Sequence, residues 1–157
     1  MVRTSGRFQM QELGAVDWVF AVAPTHPLAS ATEPLSAELV RSHRAIAVGD
    51  NSQSLPTLTM GLLSGQETLT VATVADKLQA QLAGLGCGHL PRIWAEPYLA
   101  TGALVEKQTL AAKPNDNFMV AWPKAEQGKS LKWFIQHLAQ PHVRQSLIGP
   151  ISMRDTA

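Results

Sequence analysis

The amino-acid sequence predicts an α/β fold, a parallel or mixed sheet flanked by helices, and three observations carry that prediction. Residues 67–73 (ETLTVAT) alternate polar and apolar like a strand with one covered face, residues 74–85 change to helical spacing, and residues 87–91 (CGHLP) return to an extended run. Strand, helix and strand in that order make a βαβ unit, whose two strands run parallel. The nearly continuous apolar run 15–23 (AVDWVFAVA) suits a strand covered on both faces. Towards the end, Leu131, Phe134, Ile135 and Leu138 fall at i, i+3, i+4 and i+7, the pattern of a helix with one oily face.

Taken in order, residues 1–14 are polar and glycine-interrupted, so they read as a loop or ragged end, with order beginning near Ala15. Pro24 and Pro27 stop the first strand. A short helix follows within residues 33–43, with Leu35, Leu39 and Val40 on one face and Ser36 as its cap. Residues 44–50 (RAIAVGD) form a second strand, ending in the polar turn formers Asn51, Ser52, Gln53 and Ser54. Val74, Leu78, Leu82 and Leu85 define the core stripe of the next helix, and Thr73 with Asp76 three residues on forms a capping box. Gly84 and Gly86 end it. A weaker helix spans residues 92–100 up to Gly102, and residues 103–108 and 117–122 are further extended runs. Pro141 closes the amphipathic helix, and the last residues decay into a polar tail.

Composition removes several function classes. The chain has 157 residues, 45% hydrophobic and 16% charged, with 13 Lys and Arg against 12 Asp and Glu for a formal charge of +1. That supports one buried core but supplies no basic stripe for a nucleic-acid backbone. The single cysteine, Cys87, excludes a disulfide framework and any multi-cysteine metal site. No apolar run approaches a membrane span, and the N-terminus has no secretory core, so a soluble cytoplasmic protein is expected.

The residues that carry chemistry elsewhere are scarce. His26, His43, His89, His137 and His142 show no metal-binding spacing, so no metal site and no cofactor are expected. Cys87 and His89 lie two apart on a strand, within reach of a thiol–imidazole pair, although a small apolar role suits Cys87 better. Gly84, Gly86 and Gly88 close a helix and open a strand, the reverse of a phosphate-cradling loop. Position favours another place: open α/β sheets bind ligands beyond the carboxyl ends of their strands. That nominates the loop from Asn51 to Ser54 and, by the same reasoning, Thr73 and Asp76. The Asp76 carboxylate already complements the positive helix end and would oppose a strongly anionic ligand there.

Residues 18–29 (WVFAVAPTHPLA), 33–36 (EPLS), 43–50 (HRAIAVGD), 69–91 (LTVATVADKLQAQLAGLGCGHLP), 102–105 (GALV) and the closing FMVAW strand with its amphipathic helix follow one another in a telling order. Over roughly residues 13–138 that order resembles the effector-binding domain of LysR-type transcriptional regulators. The resemblance implies a periplasmic-binding-protein-like (type 2) fold, with one α/β lobe at residues 25–112 and the remnant of a second. The remnant would comprise residues 15–24 and 113–148 with the hinge strands, which would cross at Val19 to Pro24 and Phe118 to Trp122, and residues 149–157 would be a tail. It further implies a small-molecule effector in the interlobe cleft, touching Asn51 and Ser52 and the strands near Ala23 and Ala121; Thr73 and Asp76 join them on helix-terminus reasoning alone. A sensor rather than an enzyme follows, with homo-oligomers in the full-length protein and no membrane partner. DNA would be reached only through an N-terminal winged helix that does not precede Met1, so the chain reads as N-terminally truncated. The alternatives are a solute-binding protein or a small cysteine-dependent enzyme of similar fold.

Overall fold

The computed structural model describes residues 2–49, 63–110, 116–125 and 128–148, with side chains from residue 6 onward. Along the chain come strands β1 (Val2–Ser5), β2 (Phe8–Val16) and β3 (Trp18–Val22), then a short 3-10 helix (Pro27–Ser30), helix α1 (Ala37–Arg41) and strands β4 (Ala45–Val48) and β5 (Thr68–Val71). Helix α2 (Val74–Leu82), β6 (Gly88–Pro91), α3 (Arg92–Ala100) and β7 (Val105–Lys107) follow, and β8 (Asp116–Pro123), α4 (Lys129–Leu138) and α5 (Pro141–Ile148) close the chain. The fold divides into two units, residues 18–114 and residues 1–17 with 115–157.

In the 18–114 unit β3 is the organising strand. It pairs antiparallel with β6 on one side and β7 on the other. Its alternating side chains enter two cores. Val19 and Ala21 join Leu78, Leu90, Ala95 and Leu104, while Phe20 and Val22 join Leu28, Leu35, Val40 and Cys87. The reading of the apolar run as a strand covered on both faces is therefore met for its β3 part. β4 and β5 pair in parallel. They connect to β6 through a parallel bridge between Ala45 and Cys87, with Ile46 N–H donating to the Cys87 carbonyl and Cys87 N–H to the Arg44 carbonyl, both at 2.9 Å. The predicted βαβ unit is thus present with β4 interposed between its strands, in a mixed sheet.

Two glycines make this junction possible. Gly84 takes a left-handed φ of +73° after α2, where Leu85 N–H returns to the Ala80 carbonyl. At Gly86 a Cβ would come within 2.5 Å of the Arg44 carbonyl oxygen, so only glycine lets β4 approach.

The second unit holds a three-stranded antiparallel sheet in the order β1, β2, β8. α5 packs on β2, where Ile148 lies beside Gly14. Here the structure departs from the sequence reading in several ways. Residues 1–14 were expected as loop, yet β1 and most of β2 occupy them. β2 shows no clean alternation because its register shifts between Glu12 and Gly14, and it is held by a partner, β8, distant in sequence. The apolar run 15–23 is split at exposed Asp17, giving its start to one sheet and its end to another. Of the segments read as hinge strands, Val19 to Val22 lies in the central strand of one sheet, and Phe118 to Trp122 pairs with β2 in the other. Pro141 ends α4 but also opens α5, since a proline is tolerated in a first turn.

Helix α2 corrects its predicted stripe. Leu78 is buried, but Leu85 is 49% exposed, and Lys77, Ala80 and Gln81 are buried instead. The oily face read on α4 is present in sequence, yet α4 has no buried residue among those described.

Candidate functional site

The parallel pairing of β4 with β5 brings two carboxyl ends to the same edge of the sheet. Gly49, just past β4, donates its N–H to the Val71 carbonyl at the end of β5 over 2.8 Å. The loop that leaves β4 and the amino terminus of α2 therefore start side by side. At that terminus Thr73 Oγ1 accepts the Asp76 N–H at 3.1 Å, and Asp76 Oδ2 accepts both the Thr73 N–H at 3.1 Å and the Thr73 hydroxyl at 2.8 Å. The predicted capping box is formed, reciprocal and exposed. It already places a carboxylate on the positive helix end, so this edge suits hydroxyl and amide groups better than a bare anion.

The nominated residues do not all gather here. Thr73 and Asp76 do, beside Gly49. Asn51 and Ser52 lie outside the described residues. Ala23 is buried and sits at the far end of β3, against Gly84 at the carboxyl end of α2. A nine-residue helix, about 13 Å long, separates it from Thr73, so Ala23 cannot share a small ligand with that cap. Ala121 lies opposite Met10 in β8, in the other unit.

Behind the edge, α2 buries a polar stripe that hydropathy counting assigns to the surface. Lys77 is 4% exposed, and Gln81, one turn on, is fully buried. The Gln81 amide nitrogen donates to the Ala21 carbonyl at 2.8 Å and the Gly88 carbonyl at 2.9 Å, joining β3 to β6 where the sheet changes from antiparallel to parallel pairing. Its Oε1 has no hydrogen-bond partner among the described residues. The i, i+4 spacing of Lys77 and Gln81 was the available signal, hidden by the leucines beside them.

The Cys87–His89 pair is not an activated nucleophile. Cys87 is fully buried, its thiol directed to the Arg44 carbonyl at 3.5 Å. Burial pushes the thiol up to about 11, against a smaller opposite effect of nearby Lys77 and of a backbone hydrogen bond. His89 instead meets the Phe20 ring edge-on at 5.2 Å. Among the described residues no three His, Cys, Asp or Glu side chains gather as metal ligands, and no helix is long and apolar enough to cross a membrane.

This α/β arrangement has clear counterparts among known proteins. The model of the LysR substrate binding domain matches residues 2–141. The chain belongs to the LysR substrate-binding domain family. This LysR domain is 40% identical over 131 residues to the "uncharacterized HTH-type transcriptional regulator YeeY" of Escherichia coli (strain K12), covering 83% of the chain and 42% of YeeY. It is 35% identical over 136 residues to the probable HTH-type transcriptional regulator YhaJ of the same strain, covering 87% of the chain and 45% of YhaJ. The chain thus spans less than half the length of these relatives. Among solved structures, the regulatory domain of the LysR family regulator MetR from N. meningitidis aligns with a TM-score of 0.67 at 19% identity, over 93% of this chain and 68% of that one. The effector binding domain of QuiR in complex with shikimate aligns with a TM-score of 0.64 at 18% identity, over 88% and 66%. These two likenesses show that the fold is shared with the regulatory domains of LysR family regulators.

Proposed function

We propose that this LysR domain senses a small molecule for a transcriptional regulator, and that its ligand sits at the carboxyl edge of the β4–β5 pair. The observation that carries this reading is the Gly49–Val71 hydrogen bond, which sets the end of β4 beside the end of β5 and so beside the Thr73–Asp76 cap that follows it. The related QuiR domain holds shikimate, and a regulatory domain of CcmR from Synechocystis PCC6803 holds 2-PG. We infer for this chain a small metabolite rich in oxygen, met by hydroxyl and amide groups at the edge. Residues 18–114 are read as the second effector subdomain and residues 1–17 with 115–148 as part of the first.

Sensing follows from differential affinity: a ligand that binds one arrangement of the regulator better shifts the population by that difference. Recognition of DNA is assigned to a helix-turn-helix outside these residues, consistent with the scattered charge here and the names of the relatives, and homo-oligomers are assigned to the whole regulator. The buried thiol speaks against the cysteine-enzyme alternative. A thermal-shift screen with hydroxylated carboxylic acids, beginning with shikimate, tests the reading. At about 100 times its Kd a true ligand adds roughly 2.7 kcal/mol, on the order of 5–10 °C for a chain of this size. Thr73→Val should lower that shift severalfold, and a ligand shift unchanged by substitutions at Asn51, Ser52 and Thr73 would contradict the placement.

A further inference from the structure

Two histidines distant in sequence meet in the 18–114 unit. The rings of His26 and His43 stand with centroids 5.2 Å apart and planes tilted by 49°. Their hydrogen bonds fix the proton on each ring. His26, 7% exposed, accepts the Leu28 N–H on Nδ1 at 3.2 Å, so its neutral ring carries the proton on Nε2. His43 Nδ1 lies 3.0 Å from the Leu39 carbonyl oxygen, which can only accept, and 3.1 Å from Ser42 Oγ, so its proton is on Nδ1.

The opposite tautomers respond differently to acid. A proton added to His43 Nε2 breaks none of these hydrogen bonds. A proton added to His26 must go to Nδ1, setting donor against donor at the Leu28 N–H, inside the protein and beside a second imidazole. Burial, and then His43, lower the His26 pKa from its ordinary 6.5.

We propose that the His26–His43 pair is an acid-sensitive joint, in which protonation of His26 breaks the cap of the 3-10 helix and loosens the segment between β3 and β4. The same joint anchors the return of the chain before β5. The His43 and Val40 carbonyls both accept from Gln66 Nε2 at 2.9 Å, and Gln66 Oε1 accepts the Leu63 N–H at 3.3 Å. The charged groups on the surrounding elements have their own engagements or face solvent. Lys107 of β7 donates to the Ala29 and Ala31 carbonyls and lies 3.8 Å from Glu33, Arg44 is paired with Glu67, and Glu38 and Arg41 on α1 are exposed. Between the lowered folded pKa and the unfolded value of 6.5 the unfolded chain binds more protons, so stability is full above that value and falls as the pH drops below it.

Imidazole 15N NMR of the full chain from pH 8 to 5 tests the joint. The Nε2–H tautomer of His26 should persist, uncharged, below pH 6.5, and H43Q should move its titration upward. In thermal melts, H26N keeps an acceptor for the Leu28 N–H without a titratable ring. The wild-type Tm should fall roughly 3 °C more than that of H26N between pH 7.5 and 5.5. Titration of His26 at or above 6.5, an H43Q variant that leaves it unmoved, or equal Tm losses would overturn the proposal. The wild-type and H43Q titrations decide the matter even where H26N fails to fold.

Discussion

Lys107 shows how much one buried polar group can matter. Its ammonium, nearly closed off from solvent, satisfies the Ala29 and Ala31 carbonyls at 3.3 and 2.8 Å and so ties β7 to the 3-10 helix. Lys107→Met keeps the stem but leaves both carbonyls without that donor, and urea unfolding should show a loss of about 2 kcal/mol. Cys87 gives a second prediction at this scale. With its thiol pushed up to about 11 and no exposure, alkylation by iodoacetamide at pH 7.5 should track global unfolding, whereas a free-thiol rate in the native state would contradict its burial. The Ser36 and Thr73 caps were readable because a cap depends on residues three apart. Gln81 and Lys107 were not, because their partners are backbone groups of β3, β6 and the 3-10 helix segment that only the fold brings near.

Among elements, α2 was the most readable and also the most instructive. Its start and stop are written locally, in the Thr73–Asp76 box and at Gly84, so its bounds follow from sequence. Its buried face is completed by the β4–β6 junction, which is non-local: of the leucine stripe Leu78 and Leu82 pack in the core, while Leu85 is exposed. Thr73→Ala should cost about 1 kcal/mol, a drop of roughly 2–4 °C in Tm without ligand. β2 is the opposite case: nearly every bond that makes it a strand is to β1 or β8, and its bulge scrambles the alternation that would announce it. The same non-locality hid α5, whose Val143 is its one buried residue.

For the molecule as a whole, burial is uneven. Among the described residues, only Val16, Trp122 and Val143 of the unit comprising residues 1–17 and 115–157 are buried apolar side chains, while Phe8, Phe118, Met119, Trp133, Phe134 and Leu147 of that unit are exposed. Residues 18–114 hold both core clusters. Native-state hydrogen exchange should therefore be slowest in β3 and β6 and clearly faster in β1 and β8, because local opening costs least where little apolar surface is lost. Equal protection in both units would show that burial is not what grades their stability. The α/β class and the βαβ unit were legible from periodicity, and the family from the order of short motifs. The division of the 15–23 run between two sheets was not, since one exposed aspartate interrupts an otherwise continuous apolar pattern.

The most direct test is a map of backbone amide shifts as shikimate and related hydroxylated acids are titrated into the 15N-labelled chain. The account predicts that a binding member moves Gly49, Val71, Ala72 and Thr73 together with the loop bearing Asn51 and Ser52. Binding that moves Ala23 and Gly84 at the opposite end of the sheet, and leaves Thr73 and Gly49 unmoved, would contradict it.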